Sequence, residues 1–260
     1  MSLRTHTNTD QVAWQRSFKE NPFMADSETR PSGATRTLLL AALITIGLYF
    51  VPYAGYVTYP IRLLVTLIHE GSHALMSLLT GGWVQSISIE PDGSGLTMSL
   101  LRGWLPQVLV ASAGYLGATL YGAGLIYLLR RGASGRPLLL GTGILTGLVT
   151  LGIFLGLIFT GNVFGLFWGL MITAGLLIAG LKLPKGTAGW LAAFVGVQCV
   201  LNALFDLRTL FTLSVSTLAP TDAMGMARLT LIPAPIWAAL WIITAFFMLW
   251  LVLRPARSSR

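Results

Sequence analysis

Charge is what this sequence has least of. Only 10% of its 260 residues are charged, against about 25% in an ordinary soluble domain. Cysteine is nearly absent too. The lone Cys199 excludes an intrachain disulfide and reads as a small buried apolar side chain. Between Leu38 and Leu253 the only carboxylates are Glu70, Glu90, Asp92, Asp206 and Asp222, and the only histidines are His69 and His73. There is no phosphate-binding loop, no internal repeat and no basic patch interleaved with aromatics. The net charge of +8 therefore suits anionic lipid and the fixing of topology, and no nucleic-acid partner is expected. A secretory signal peptide is excluded as well, because the first apolar run starts too late and is too long.

What is present is apolar sequence in long runs. Hydrophobic residues make up 54% of the chain. They gather at 37–57, 59–80, 104–129, 137–159, 162–181, 187–213 and 231–253. Each run is near the roughly 20 residues that a helix needs to cross a bilayer. Thr160-Gly161-Asn162 is the natural turn inside the longest apolar stretch, and a short connection at Gly55–Tyr59 separates the first two runs. The expected fold is an all-α polytopic membrane protein with about seven transmembrane helices. Residues 1–35 form a polar, disordered or surface-lying tail, residues 36–253 the membrane domain, and residues 254–260 a basic tail.

One segment breaks the helical pattern. After Gly81-Gly82, Ile87 and Ile89 alternate with Ser86, Ser88 and Glu90, which is the period of a strand. Pro91-Asp-Gly-Ser-Gly95 is turn chemistry, and Leu96–Leu100 alternates again. This predicts a β-hairpin after the second run. Its strand edges must lie at the interface or in a protein-lined cavity, since an unpaired edge cannot face lipid.

The chemistry sits just before that hairpin. Leu67-Ile-His-Glu-Gly-Ser-His-Ala-Leu75 puts three ionisable groups into a membrane run, where each costs about 2.5–3.5 kcal/mol on insertion scales. His69 and His73 are four residues apart, so they share a helix face and can ligate one metal ion. Glu70 stands where the general base of an HExxH metalloprotease stands. A catalytic zinc normally has three protein ligands, so a carboxylate must complete the set. Asp206 is the first candidate and Asp222 the second. His73 and Asp206 each lie seven residues before the end of their runs. With three runs between them, their helices run in the same direction and both groups sit about 10 Å deep. Asn202, one turn before Asp206, is a candidate either for binding substrate backbone or for plain helix packing. The same polar cluster could instead carry a metal ion or proton in a transporter, or belong to a catalytically silent membrane binding protein.

The quoted motif, followed by TGGWV with its hairpin and PDGSG turn, SAGYLG, NALFDLRTL and TDAMGMARLTLIPAPIW, resembles the compact branch of the site-2 protease family. These are intramembrane zinc metalloproteases. The resemblance covers about Leu64 to Trp241. It implies one catalytic Zn²⁺, Glu70 as the base, membrane-protein substrates cleaved in or near their transmembrane segments, and a place in the cell (plasma) membrane. The family usually takes its third ligand from an aspartate in a late span, often followed by glycine. Here Leu207 follows Asp206.

Overall fold

The computed structural model describes residues 33–49, 53–216 and 221–254. The expected tails therefore lie almost wholly outside the described residues. From the N-terminus come α1 (Gly33–Tyr49), α2 (Ala54–Leu79), β1 (Trp83–Ile89), β2 (Gly95–Leu100), α3 (Trp104–Arg130), α4 (Gly135–Leu155), the single turn α5 (Leu157–Thr160), α6 (Val163–Lys182), α7 (Lys185–Ser216), α8 (Asp222–Thr230) and α9 (Ala234–Leu253). Five of these helices, α3, α4, α6, α7 and α9, are long and apolar enough to cross a membrane by length and composition. The other two of the seven expected runs correspond to α1, with 17 residues, and α2, which carries Arg62 and the HExxH residues.

Small residues face inward and large apolar ones outward. The buried residues of α9 are Ala234, Ala238, Trp241 and Ala245, and those of α6 are Gly165, Gly169, Leu176 and Gly180. Leu148, Ile178, Ile243 and Phe246 are exposed. That distribution belongs to helices packed closely in lipid, where no hydrophobic force drives helix against helix and close backbone approach must do the work.

Two boundaries differ from the sequence reading or sharpen it. Gly55–Tyr59 is not a connection, because α2 runs continuously from Ala54. Tyr53 just before it takes a left-handed conformation (φ 65°), so the chain turns ahead of Gly55. Pro60 sits inside α2, where it removes one backbone donor from the second turn. The turn at Gly161 is as expected. Its φ of 61° closes α5, and its N–H returns to the Leu157 carbonyl at 2.8 Å.

The hairpin forms an antiparallel pair with Ile87 opposite Thr97 and Ile89 opposite Gly95, and an irregularity between Val84 and Ser86. Its two strands meet different surroundings. β1 is buried from Ser86 to Ile89, while β2 alternates between partly buried and exposed. Ile87 and Ile89 pack with Leu63, Leu67, Val149 and Ile153 of α2 and α4. Gly152 of α4 and Gly156, the residue that caps its C-terminal end, make room for this. A Cβ at Gly152 would come within 2.9 Å of Ile87 Cδ1, and one at Gly156 within 2.9 Å of Ser86 Cα. These two glycines therefore admit a strand rather than a neighbouring helix.

A candidate metal centre beside an open strand edge

On α2, Arg62, Thr66, His69, Glu70 and His73 share the stripe that lines a cavity of about 650 Å³. Residues three and four apart on a helix point the same way, so the HExxH spacing alone brings the imidazoles together. Their Nε2 atoms are 3.1 Å apart. His73 Nδ1 lies 2.6 Å from the Val110 carbonyl of α3. A carbonyl can only accept, so Nδ1 carries the proton and the Nε2 lone pair is left for a metal. Gly114 of α3 stands over the pair, and a Cβ there would overlap the Nε2 atoms of both histidines.

The carboxylate that meets them is Asp222. Its Oδ2 is 3.5 Å from His69 Nε2 and 3.4 Å from His73 Nε2. Among the described residues, these three form a group able to hold one metal ion. A tetrahedral ion with bonds of about 2.0–2.1 Å spaces its ligands about 3.3 Å apart. The observed separations of 3.1, 3.4 and 3.5 Å match that edge length. Two imidazoles and one carboxylate are also a donor set that zinc accepts while keeping one position open. The residues present fit such an ion.

The structure thus reverses the expected order of the two aspartates. Asp206 lines the same cavity, but it does not join the three-donor group. The reason lies in the faces of α7. Ala203, Leu207 and Leu210 are its buried stripe, and Asp206 lies on the exposed flank beside it. Asp222 comes instead on α8, a short helix between two long ones. Thr221 caps α8 by accepting from the Met224 N–H at 3.3 Å, and a carboxylate in the first turn suits the helix dipole. Ala223 and Met226 anchor α8 in a cluster with Leu207, Leu210, Ala238 and Trp241. Its far end is held by Trp104 Nε1, which donates to the Leu229 carbonyl at 2.9 Å, and by Trp237 Nε1, which donates to Thr230 Oγ1 at 3.0 Å.

Asn202 does not line the cavity. Its amide donates to the carbonyl and to the side-chain oxygen of Gln198, at 2.9 and 3.0 Å, and Gln198 in turn donates to Thr45 of α1 at 2.7 Å. Asn202 thus steadies the Gln198 side chain that joins α7 to α1.

Glu70 is buried and faces β2. Thr97 Oγ1 donates to Glu70 Oε2 at 2.7 Å. A Cβ at Gly95 would come within 2.6 Å of Glu70 Oε1, so the missing side chain lets the carboxylate lie against the strand. The outer edge of β1 is closed at Ile89. Asn162 accepts from the Ile89 N–H at 3.1 Å and donates to the Ile89 carbonyl at 3.0 Å. With those groups facing away from β2, the Ile89–Gly95 pair does not exchange ladder bonds, and neither does the Ile87–Thr97 pair two residues on. The main-chain groups of Gly95 and Thr97 must then point to the far edge of β2, which has no strand partner among the described residues. Both residues line the cavity. At the hairpin turn, the hydroxyl and backbone amide of Ser94 donate to Asp92 Oδ1 at 2.6 and 2.9 Å and hold its carboxyl below the usual carboxylate range.

Several of these residues carried no signal of their own in the sequence. Asn162 read only as part of a turn, Gly95 as part of another, and Gly114 as one small residue among many. Their roles depend on which side chains stand opposite them.

An apolar helical bundle that encloses two histidines, a carboxylate and a buried glutamate belongs to the class of polytopic membrane proteins with an internal metal-type site. The chain belongs to the Peptidase M50B-like family, which matches residues 39–252. It is accordingly a membrane peptidase by family. No curated protein and no solved structure matches it.

Proposed function

We propose that this protein is a zinc-dependent endopeptidase that cleaves peptide bonds in or near the transmembrane segments of other membrane proteins. The observation that carries this reading is the His69–His73–Asp222 donor set, spaced for one tetrahedral ion, with Glu70 and an open strand edge in the same cavity. His69, His73 and Asp222 hold the single Zn²⁺, and Asp206 remains a lining residue. When bound, the ion acts as a Lewis acid on the scissile carbonyl and makes the attacking water more acidic.

The chain's own residues do the rest. A substrate segment must be extended before its amide is accessible, because a helix hides the amide in its own hydrogen bonds. The outward main-chain groups of Gly95 and Thr97 can take such a segment as an added strand. Glu70, beside Gly95, then takes a proton from the attacking water as its oxygen bonds to the carbonyl carbon. It delivers that proton to the nitrogen as the C–N bond breaks. Thr97 fixes the Glu70 carboxylate for both transfers.

In this reading α1 and α2 complete a bundle of seven spans in the cell membrane, and α2 turns its polar stripe inward as an ionisable span must. The partners are the bilayer and membrane-protein substrates, not nucleic acid. Metal analysis of the purified chain beside His73→Ala, together with cleavage of a transmembrane substrate by wild type and Glu70→Gln, tests it. Stoichiometric zinc lost in His73→Ala and cleavage abolished in Glu70→Gln with zinc retained are expected. Metal flux through reconstituted vesicles, unchanged by Glu70→Gln, would replace the peptidase reading with a transporter.

A further inference from the structure

Tyr115 brings a hydroxyl to the cavity that the reading above does not use. It follows Gly114 on α3, and its ring meets His69 edge-on at 4.6 Å between centroids, with an interplanar angle of 84°. On its other side it stacks on Trp241 at 5.6 Å and 25°. Two aromatic neighbours at such angles lock a ring. Tyr115 lines the same cavity as Glu70, Asp206 and Asp222, and all three carboxylates lie within electrostatic reach of its hydroxyl.

That hydroxyl makes no hydrogen bond with any described residue. Other tyrosines of the bundle behave differently. Tyr121, farther along α3, donates to Thr142 Oγ1 at 2.6 Å, and Tyr59 donates to the Pro91 carbonyl at 2.5 Å. A largely buried tyrosine normally finds a partner. Tyr115 is instead a ring-locked donor without a protein partner among the described residues, in the lining of the cavity that holds the metal-type site. Peptide hydrolysis develops negative charge on the carbonyl oxygen, and a preorganised donor aimed there is the usual means of stabilising it.

We infer that Tyr115 donates a hydrogen bond to the oxygen of the scissile carbonyl as it becomes an oxyanion. This rests on the peptidase reading. The donation moves no proton completely. The O–H bond stays intact, and the charge is shared until the C–N bond breaks.

The test compares the wild-type chain, Tyr115→Phe, Glu70→Gln and Tyr115→Phe/Glu70→Gln, each purified after supply of zinc. Tyr115→Phe keeps both ring contacts and removes only the hydroxyl. Its kcat should fall about 10²-fold, the loss seen when one oxyanion donor is removed, with KM and zinc content unchanged. A phosphinic peptide, whose tetrahedral oxyanion copies the reacting centre, should bind Tyr115→Phe about 10²-fold more weakly by calorimetry. An unmodified peptide should bind the Glu70→Gln and Tyr115→Phe/Glu70→Gln proteins equally well. Wild-type kcat and phosphinate affinity in Tyr115→Phe, beside an inert Glu70→Gln, would overturn the role of the tyrosine alone. Loss of zinc from Tyr115→Phe would also overturn it and leave Tyr115 as a support for His69. If wild type shows no cleavage that Glu70→Gln removes, the peptidase reading falls, and this inference with it.

Discussion

Asp206 and Asp222 line one cavity, yet only one of them meets the histidines. Asp206 belongs to a 32-residue helix whose position is set by the stripe it buries against its neighbours. Its carboxylate can only point where that stripe allows. Asp222 belongs to a nine-residue helix that spans nothing and is held by a cap, two buried side chains and two tryptophan N–H groups. The long helix brings a carboxylate to the cavity wall, and the short one can be placed to aim it. Burial of apolar surface fixes the large elements. A ligand that must meet two others within tenths of an ångström is better supplied by a piece whose placement satisfies the site.

The sharpest way to break this contrast is to remove each carboxylate in turn. Asp222→Ala should lose stoichiometric zinc and activity by more than the roughly 10–100-fold typical of changes behind the ligands, while Asp206→Ala keeps its metal. Metal analysis of the two purified variants decides it, and zinc retained in Asp222→Ala would hand the role to Asp206. The next largest effect is expected at Gly114. Gly114→Ala puts a methyl group over both Nε2 atoms, so the imidazoles must move and zinc affinity should fall, as read by competition with a chelator. Gly124→Ala on the same helix, where a Cβ meets nothing within 4 Å, should leave affinity unchanged.

The strand edge can be separated from the Glu70 contact at one position. Thr97→Val removes the hydroxyl that holds Glu70, and Thr97→Pro removes both that hydroxyl and the outward N–H. Proline is tolerated at a free edge, so cleavage lower in Thr97→Pro than in Thr97→Val would measure the N–H itself. Equal rates in the two variants would deny the strand edge a part in binding substrate.

The aim of α8 can then be loosened without touching a ligand. Thr221→Ala removes its N-cap, worth about 1 kcal/mol, and should weaken zinc binding by no more than about tenfold, since 1.4 kcal/mol is a factor of ten. Thr209→Ala on α7, beside Asp206, should do nothing to it. Titration with a zinc chelator compares the two.

A third aspartate should show the smallest effect. Asp92 is exposed and holds the hairpin turn through Ser94. Its folded carboxyl titrates below the unfolded value, which is about 3.9. Its contribution is therefore fully present above about pH 4 and lost as pH falls through the folded value. Thermal melts should show Asp92→Asn slightly less stable than wild type from pH 5 to 7, with the gap closing below about pH 4. A gap that widened in acid would show the sign to be wrong.

Legibility in the sequence followed locality. The pairing of His69 with His73 needs only the pitch of one helix, and the hairpin needs only alternation around a turn. Both were readable. That Asp206 would lie near the histidines was also readable, because counting residues along the runs requires no tertiary knowledge, and it lines their cavity. The role of Asp222 was harder to read, since a polar stretch between apolar runs looks like a loop until Ala223 and Met226 are seen to fill a pocket against Trp241 and Ala238. For Asn202 the sequence left substrate binding and packing open, and what favours packing is its bonds to Gln198 one turn earlier on α7, which in turn reaches Thr45 of α1.

By itself, the sequence determined a membrane-type helical chain, two histidines and a glutamate on one helical face, and a hairpin directly after them. All of these follow from short-range periodicity and from the exclusion of charge from lipid. The tertiary structure decided which aspartate completes the donor set, which strand edge stays open, and which glycines leave room for Nε2 atoms, a carboxylate or a strand. Those outcomes depend on which surfaces meet across the bundle, and no local pattern along the chain encodes that.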